Sequence, residues 1–421
     1  MSSVSGTVMN ETVTTANHSE SARNSVRKLS TRSNARLKNG HGKVGARITR
    51  LSELSQIRPL RIVILGLSIT SSWGNGHATT YRSLIRELAA RGHQVLFLER
   101  NVEWYASNRD LPNPPYCKTA LYQNITELKR RFTNDIREAD CVMLGSYVQE
   151  GAMIGKWVTK LAGGITAFYD IDTPVTLSRL GNSDLDYLSK ALIPRYHLYL
   201  SFSGGPMLEK IEEKFGSPMA RPLYCSVDPD LYFPESSSAR WDLAYMGTYS
   251  EDRQPALESL LIKPARQWRE GRFVVAGPQF PGTIEWPRNV KRIAHLPPGK
   301  HRSFYNAQKF ALNVTRTRMV EAGFSPSVRL FEAAACGTPI ISDYWNGLST
   351  VFAVGKELLV AKSDNETLQY LLDLPECERL QIGERARRRV LAEHTAAHRA
   401  RALEGYIQQL VSKPKQLEDH S

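Results

Sequence analysis

A chain of 421 residues with a formal charge of +13 is too long for one ordinary domain, so two domains plus an appendage are expected. No run of about 18 apolar residues occurs and the N-terminus lacks an apolar signal core, so neither a membrane span nor secretion is expected. The five cysteines (Cys117, Cys141, Cys225, Cys336, Cys377) are scattered, odd in number and without metal-ligand spacing, which fits a reduced cytosol and argues against a disulfide framework or structural zinc.

Residues 1–58 hold ten Lys/Arg against three Asp/Glu, and so carry +7 of the +13. Rich in Ser, Thr, Asn and Arg and poor in aromatics, they cannot bury enough apolar surface to fold and read as a disordered basic arm. Its charge suits nucleic acid, anionic lipid or a polyanionic polymer, but a solvated extension or a start codon assigned too early is the favoured account of it. The remaining +6, spread over more than 360 residues, gives no ground for DNA binding.

Leu60 to Leu67 is a compact apolar run and predicts the first buried strand of a parallel sheet. A loop from Ser71 to His77 follows, then an amphipathic helix from Thr79 to Arg91 and a second strand from Gln94 to Glu99, together a βαβ opening. Further strands are expected at Cys141–Leu144, Ile165–Tyr169 and Leu198–Phe202. The prolines and serines between Val227 and Ser236 break regular structure and mark a linker. A second domain then opens with Leu243 to Tyr249 and continues with strands at Phe273–Gly277, around Lys309 to Val314, and at Glu357–Val360. Glu376 to Leu410 has a helical pattern, and no internal repeat is present. The expected division is an arm at 1–58, a first α/β domain at 59–235, a second at 236–395 and a closing helix and tail at 396–421.

The segment from Gly323 to Asp343 reads as a loop, a short helix, a Gly-Thr-Pro break and a buried strand. Ser327 and Arg329 stand where the helix begins, and free N–H groups with the helix dipole favour an anion there. Glu332 follows one turn later beside the small residues Ala333 to Ala335. An anion-binding helix start followed by a carboxylate suits a nucleoside diphosphate, with phosphate on the N–H groups and ribose hydroxyls on the carboxylate. An ordinary small-residue helix packed on a sheet has the same spacing.

These residues closely resemble the nucleotide-sugar-binding motif of GT-B glycosyltransferases, most nearly the spore-maturation CgeB-like branch of the glycosyl transferase group 1 families. The resemblance is most specific over Gly323 to Leu348 and extends more loosely from about Leu60 to the C-terminus. It implies two facing Rossmann-like domains with parallel sheets, the second holding the sugar nucleotide, and a C-terminal helix that returns to brace the first. Retaining members often carry two glutamates with seven residues between them; here Glu321 precedes Glu332 with ten between, so the stereochemical class stays open.

Gly247 and Tyr249, after the first strand of the second domain, are donor-site candidates because such folds bind ligands at carboxyl strand ends. Asn313, Arg316 and Arg318 follow another strand end, where arginines would neutralise a leaving diphosphate. Asp343 is a candidate for a sugar hydroxyl or for capping its own turn. In the first domain the glycine loop Gly74-Asn75-Gly76-His77 faces the cleft that the resemblance implies. His77 there would contact ligand, act as base or cap the helix. Asp170 and Asp172 form an Asp-x-Asp pair, read as lining the acceptor side rather than as a metal site, with Asp172 a catalytic candidate beside His77.

The sequence thus predicts a glycosyltransferase, cytoplasmic or peripheral to the inner membrane, that needs neither metal nor cofactor. It would move sugar from a UDP, GDP or dTDP donor to a hydroxyl of a bacterial cell-surface glycan, a protein or a small molecule. A sugar-nucleotide epimerase on the same scaffold and an inactive sugar-nucleotide or polymer-binding module are the rivals. Gly66-Leu67-Ser68 lacks the Gly-x-Gly-x-x-Gly fingerprint of a nicotinamide dehydrogenase.

Overall fold

The computed structural model describes residues 58–73, 76–181 and 183–412; the expected basic arm and Gly74 of the glycine loop lie outside them. The first half is built on β1 (Arg61–Gly66), β2 (Gln94–Arg100), β3 (Lys118–Tyr122), β4 (Cys141–Gly145), β5 (Ile165–Asp170), β6 (Leu198–Ser201) and β7 (Ala220–Pro222). They form one sheet in the order β3-β2-β1-β4-β5-β6-β7. The second half contributes β8 (Trp241–Met246), β9 (Phe273–Ala276), β10 (Val290–Ile293), β11 (Gln308–Asn313), β12 (Ile340–Ser342) and β13 (Leu359–Val360), in the order β10-β9-β8-β11-β12-β13. All the pairings in both sheets are parallel.

Helices cover both faces of each sheet, so the central strands are buried along nearly their whole length and read as unbroken apolar runs. The edge strands β3 and β10 keep part of their length in solvent, with Lys118, Lys291 and Arg292 among their residues, and give no such run. Each sheet reverses direction beside its first strand: β1 lies between β2 and β4, and β8 between β9 and β11. Loops leaving two such neighbours go to opposite faces and open a crevice at the carboxyl ends. Both crevices supply residues to one cleft.

The polypeptide crosses between the halves twice, and the crossings are bonded to each other. Val227 N–H donates to the His394 carbonyl at 3.2 Å, and Ala396 N–H donates to the Val227 carbonyl at 3.0 Å. The long helical pattern of the tail therefore splits into two helices, Glu376–Glu393 and Ala396–Ser412, at this bridge. Buried Arg399 ties the junction, donating to the carbonyls of Tyr224 and Cys225 and, at 2.9 Å, to His394 Nδ1. Burial, with Arg399 adjacent, pushes His394 down to about 3, so its ring is neutral and stacks on Phe331.

The last helix packs Ala400, Leu403 and Ile407 into the same core as Leu84, Ile85 and Leu88 of the helix Gly76–Ala90. Glu404, buried, accepts from Arg91 at 2.7 and 2.5 Å and meets His93 Nε2 at 2.7 Å. Because His93 Nδ1 accepts from Leu60 N–H at 3.1 Å, Nε2 is the donor to Glu404. Among the described residues no helix is long and apolar enough to cross a membrane.

Candidate active site at the cleft between the two sheets

The loop after β1 is braced from below. Glu99, fully buried, accepts from Ile69 N–H at 2.7 Å, Thr70 N–H at 3.0 Å and the Thr70 hydroxyl at 2.6 Å. Arg82 holds Asp110 through two bonds of 2.8 and 2.9 Å, and Asp110 accepts from Ser72 N–H at 2.8 Å. Burial alone would push the Asp110 carboxyl up, but Arg82 and Ser72 outweigh it and hold it at about 2. The helix Gly76–Ala90 starts from this braced loop, with Gly76 and His77 in its first turn. Burial lowers the His77 pKa against the opposing charge of Asp172, and its ring lies 5.6 Å from that of Tyr147.

The Asp-x-Asp pair divides. Asp170, with no exposed surface, accepts from Tyr199 at 2.6 Å, Thr176 at 2.9 Å and Asp172 N–H at 3.2 Å. Burial raises its pKa to about 6, only partly offset by those bonds. Asp172 stands at the N-cap of the helix Thr173–Leu180 yet makes no side-chain cap bond. Its carboxylate instead lines the cleft, where Oδ2 accepts from the Tyr147 hydroxyl at 3.0 Å and Arg316 Nη1 lies 3.8 Å away. The two carboxylates face different surroundings rather than a shared ion.

On the opposite wall, Ser327 stands at the N-cap position of the helix Val328–Ala335 but makes no side-chain cap bond; its hydroxyl turns to Asn313 Oδ1 at 3.0 Å. Arg329 Nη1 reaches the same Asn313 oxygen and the Ser327 hydroxyl, each at 3.0 Å, and its guanidinium lies 5.2 Å from the Tyr245 ring centroid. Buried Asn313 therefore orients Ser327 and Arg329. Arg253 donates to the Tyr245 hydroxyl at 3.1 Å and the Thr248 carbonyl at 3.2 Å. Arg253 and Arg329 thus donate only to neutral oxygens among the described residues, leaving two cationic groups for a ligand anion.

These walls enclose two adjoining cavities. One, of about 240 Å³, is lined by His77, Asp172, Arg253, Arg316, Ser327 and Arg329 among others. The other, of about 200 Å³, contains Gly76, Gly247, Thr248, Gly277, His295, Leu296, Arg329 and Glu332. Glu332, 3% exposed, accepts from the Tyr305 hydroxyl at 2.9 Å through Oε2 and lines this cavity. Gly247 and Gly277 let the two strand-end loops touch: a Cβ on Gly277, whose φ is +142°, would stand 2.0 Å from the Gly247 carbonyl oxygen.

Tyr249, Arg318 and Asp343 are not among the residues lining these two cavities. Tyr249 packs edge-on against Phe280, and exposed Arg318 donates to the Ser178 hydroxyl of the first half. Asp343 accepts from Thr315 N–H at 2.7 Å and the Thr315 hydroxyl at 2.8 Å, holding the turn after β11. Glu321 is exposed; eight residues before Glu332 stands Phe324, with φ +48°. Sequence reading missed Arg253 and Tyr147, and it left His295 uninterpreted as too isolated. Arg253 follows β8 and Tyr147 follows β4, so strand-end logic would have reached both, whereas His295 follows β10, which the sequence conceals.

No protein of established function matches the chain by sequence alone. Residues 253–405 match the glycosyl transferase-like family. Among solved structures, sucrose-phosphate synthase of Thermosynechococcus elongatus is similar at 15% identity, over 83% of this chain and 98% of that one, with a TM-score of 0.61. HepE of Anabaena, in complex with UDP and glucose, is similar at 12% identity over 83% and 100%, TM-score 0.62. An α-glucosyltransferase in complex with UDP and a 13-mer DNA gives 12% identity, 83% and 100%, and 0.62. The chain therefore has the GT-B fold of glycosyltransferases, with a glycosyl transferase-like sequence over residues 253–405.

Proposed function

We propose that this protein transfers a sugar from a nucleoside diphosphate to an acceptor hydroxyl, with the donor held by the second half and the acceptor by the first. The observation that carries the reading is the convergence of Arg253, Arg329 and the start of the helix Val328–Ala335 on one cleft, with Glu332 a turn further along. Two guanidiniums bonded only to neutral oxygens match the two negative charges of a donor diphosphate, so no divalent ion is required for charge balance. Glu332 would accept from the ribose, and Arg316 would add charge as the leaving group forms. Asp172 and His77 face the same cavity as candidates to accept the acceptor proton. The glycosyl transferase-like match supports the reading, as does the binding of UDP and glucose by HepE. The finer placement in the CgeB-like branch, with a cell-surface glycan as acceptor, rests on the Gly323–Leu348 motif alone.

A thermal-shift panel of UDP, GDP, dTDP, CMP and NAD, each with and without EDTA, tests it. A ligand that binds only the native state raises the melting temperature by mass action. The expected result is a shift with one nucleoside diphosphate that EDTA leaves unchanged. No shift with any of them, or a shift with NAD alone, overturns the proposal.

A further inference from the structure

We infer that Asp172, rather than His77, takes the proton of the attacking hydroxyl, and that Tyr147 is the positioning residue that holds it in place; the inference rests on the glycosyl-transfer reading above. Neither composition nor motif marks Tyr147, which enters through geometry. It follows the end of β4 by two residues, with φ at +65°, a left-handed conformation that a bulky residue rarely adopts. The surroundings impose it. Ser146 N–H donates to the Tyr169 carbonyl at 2.9 Å, and the Ser146 hydroxyl accepts from Ile171 N–H at 3.1 Å. Val148 is buried, and the Tyr147 ring is wedged 4.9 Å from that of Tyr187 and 5.6 Å from that of His77. The strained backbone aims the hydroxyl at Asp172 Oδ2, 3.0 Å away.

Asp172 shows the complementary signature. An aspartate at an N-cap ordinarily accepts an N–H of its own helix. Here that bond is not made, and the carboxylate lines the cleft instead. Tyr147 and Arg316 both address Oδ2, whereas no hydrogen bond among the described residues reaches Oδ1. A carboxylate pinned through one oxygen, with the other turned toward a cavity, is arranged to receive a hydroxyl. In the step, the acceptor O–H bond breaks and its proton moves to Asp172 Oδ1. The acceptor oxygen bonds to the anomeric carbon as the bond from that carbon to the diphosphate breaks. The diphosphate departs with the electron pair toward Arg253 and Arg329. His77, on the same wall, packs its ring 5.6 Å from that of Tyr147.

The groups facing Asp172 are His77 from the helix Gly76–Ala90, Tyr147 and Tyr187 from neighbouring loops, Asp170 in its own turn, and Arg316 from the second half. The Tyr147 bond holds the carboxylate in place, so losing it should slow turnover without weakening nucleotide binding. The experiment measures nucleoside-diphosphate release from UDP-glucose, GDP-mannose and dTDP-glucose, with water as acceptor, from pH 5 to 9. Nucleotide affinity is measured in parallel by calorimetry. Tyr147→Phe keeps the ring and its packing; it should bind nucleotide like the parent yet release it about tenfold more slowly. Asp172→Asn should fall by roughly a hundredfold or more with nucleotide affinity kept, whereas His77→Gln should keep most of the parent's rate. The assignment is overturned if Tyr147→Phe releases nucleotide as fast as the parent, or if His77→Gln loses the rate and Asp172→Asn keeps it. A parent that neither binds nor turns over any of these nucleotides refutes the glycosyl-transfer reading itself, and this inference with it.

Discussion

Replacing Glu332 with Gln isolates the proposed ribose contact, because the substitution removes a charge without removing volume. Tyr305 donates to Glu332 Oε2 at 2.9 Å and the buried Tyr232 hydroxyl also bonds this carboxylate, so the ligand would use its remaining acceptor capacity. An amide that keeps its carbonyl toward Tyr305 satisfies that buried hydroxyl but presents an NH₂ group where the ribose would donate. A hydrogen bond to a charged acceptor contributes about 1.5–3 kcal/mol and a neutral one about 0.5–1.5. The expected loss is therefore roughly 1.5 kcal/mol, or about tenfold in the dissociation constant for the nucleoside diphosphate. Calorimetry with UDP and 2′,3′-dideoxy-UDP separates this from a general loosening of the site. The parent should prefer UDP, and Glu332→Gln should bind the two alike while melting within a few degrees of the parent. Equal affinity of parent and variant for UDP, or a parent indifferent to the hydroxyls, refutes the contact.

Two further expectations concern stability. Burial raises Asp170 from its ordinary carboxylate range to about 6, so the folded state favours the protonated acid, and its stabilising contribution is present below about pH 4 and lost as pH rises through about 6. Relative to the parent, Asp170→Asn should therefore be most destabilising near pH 4, with the deficit shrinking by up to about 3 kcal/mol at pH 7; urea unfolding at the two pH values measures this, and a pH-independent difference rules it out. Glu404→Gln leaves Arg91 and His93 without their anionic partner at a buried helix contact and should cost about 3 kcal/mol, seen as a lower urea midpoint with an unchanged slope. No change in that midpoint would mean that apolar contacts alone hold the last helix.

Much of the architecture was legible because parallel strands buried on both faces must be apolar throughout. Leu60–Leu67, Cys141–Leu144, Ile165–Tyr169 and Phe273–Gly277 all fall on such strands. The edge strands β3 and β10 and the short β7 were not, because their side chains are partly in solvent and carry no run. The site was readable where local sequence creates it, at the start of the helix that holds Arg329 and Glu332. It was less readable where the fold assembles it. Tyr147 and Arg253 come from loops far apart in sequence, and strand-end position alone does not separate Arg316, in the cleft, from Arg318, two residues on and bonded to Ser178. The Asp-x-Asp pair shows the same limit, since spacing cannot say that one carboxylate turns inward and its neighbour outward.

The paired crossings at Val227 and His394–Ala396 make the covalent link between the halves dispensable in principle. A polypeptide severed within the exposed serine run Ser236–Ser238 would leave a second fragment whose final helix still completes the first fragment's core through Ala400, Leu403 and Ile407. The two pieces would behave as a complementing pair, joined at the seam that the Val227 and His394–Ala396 bonds form.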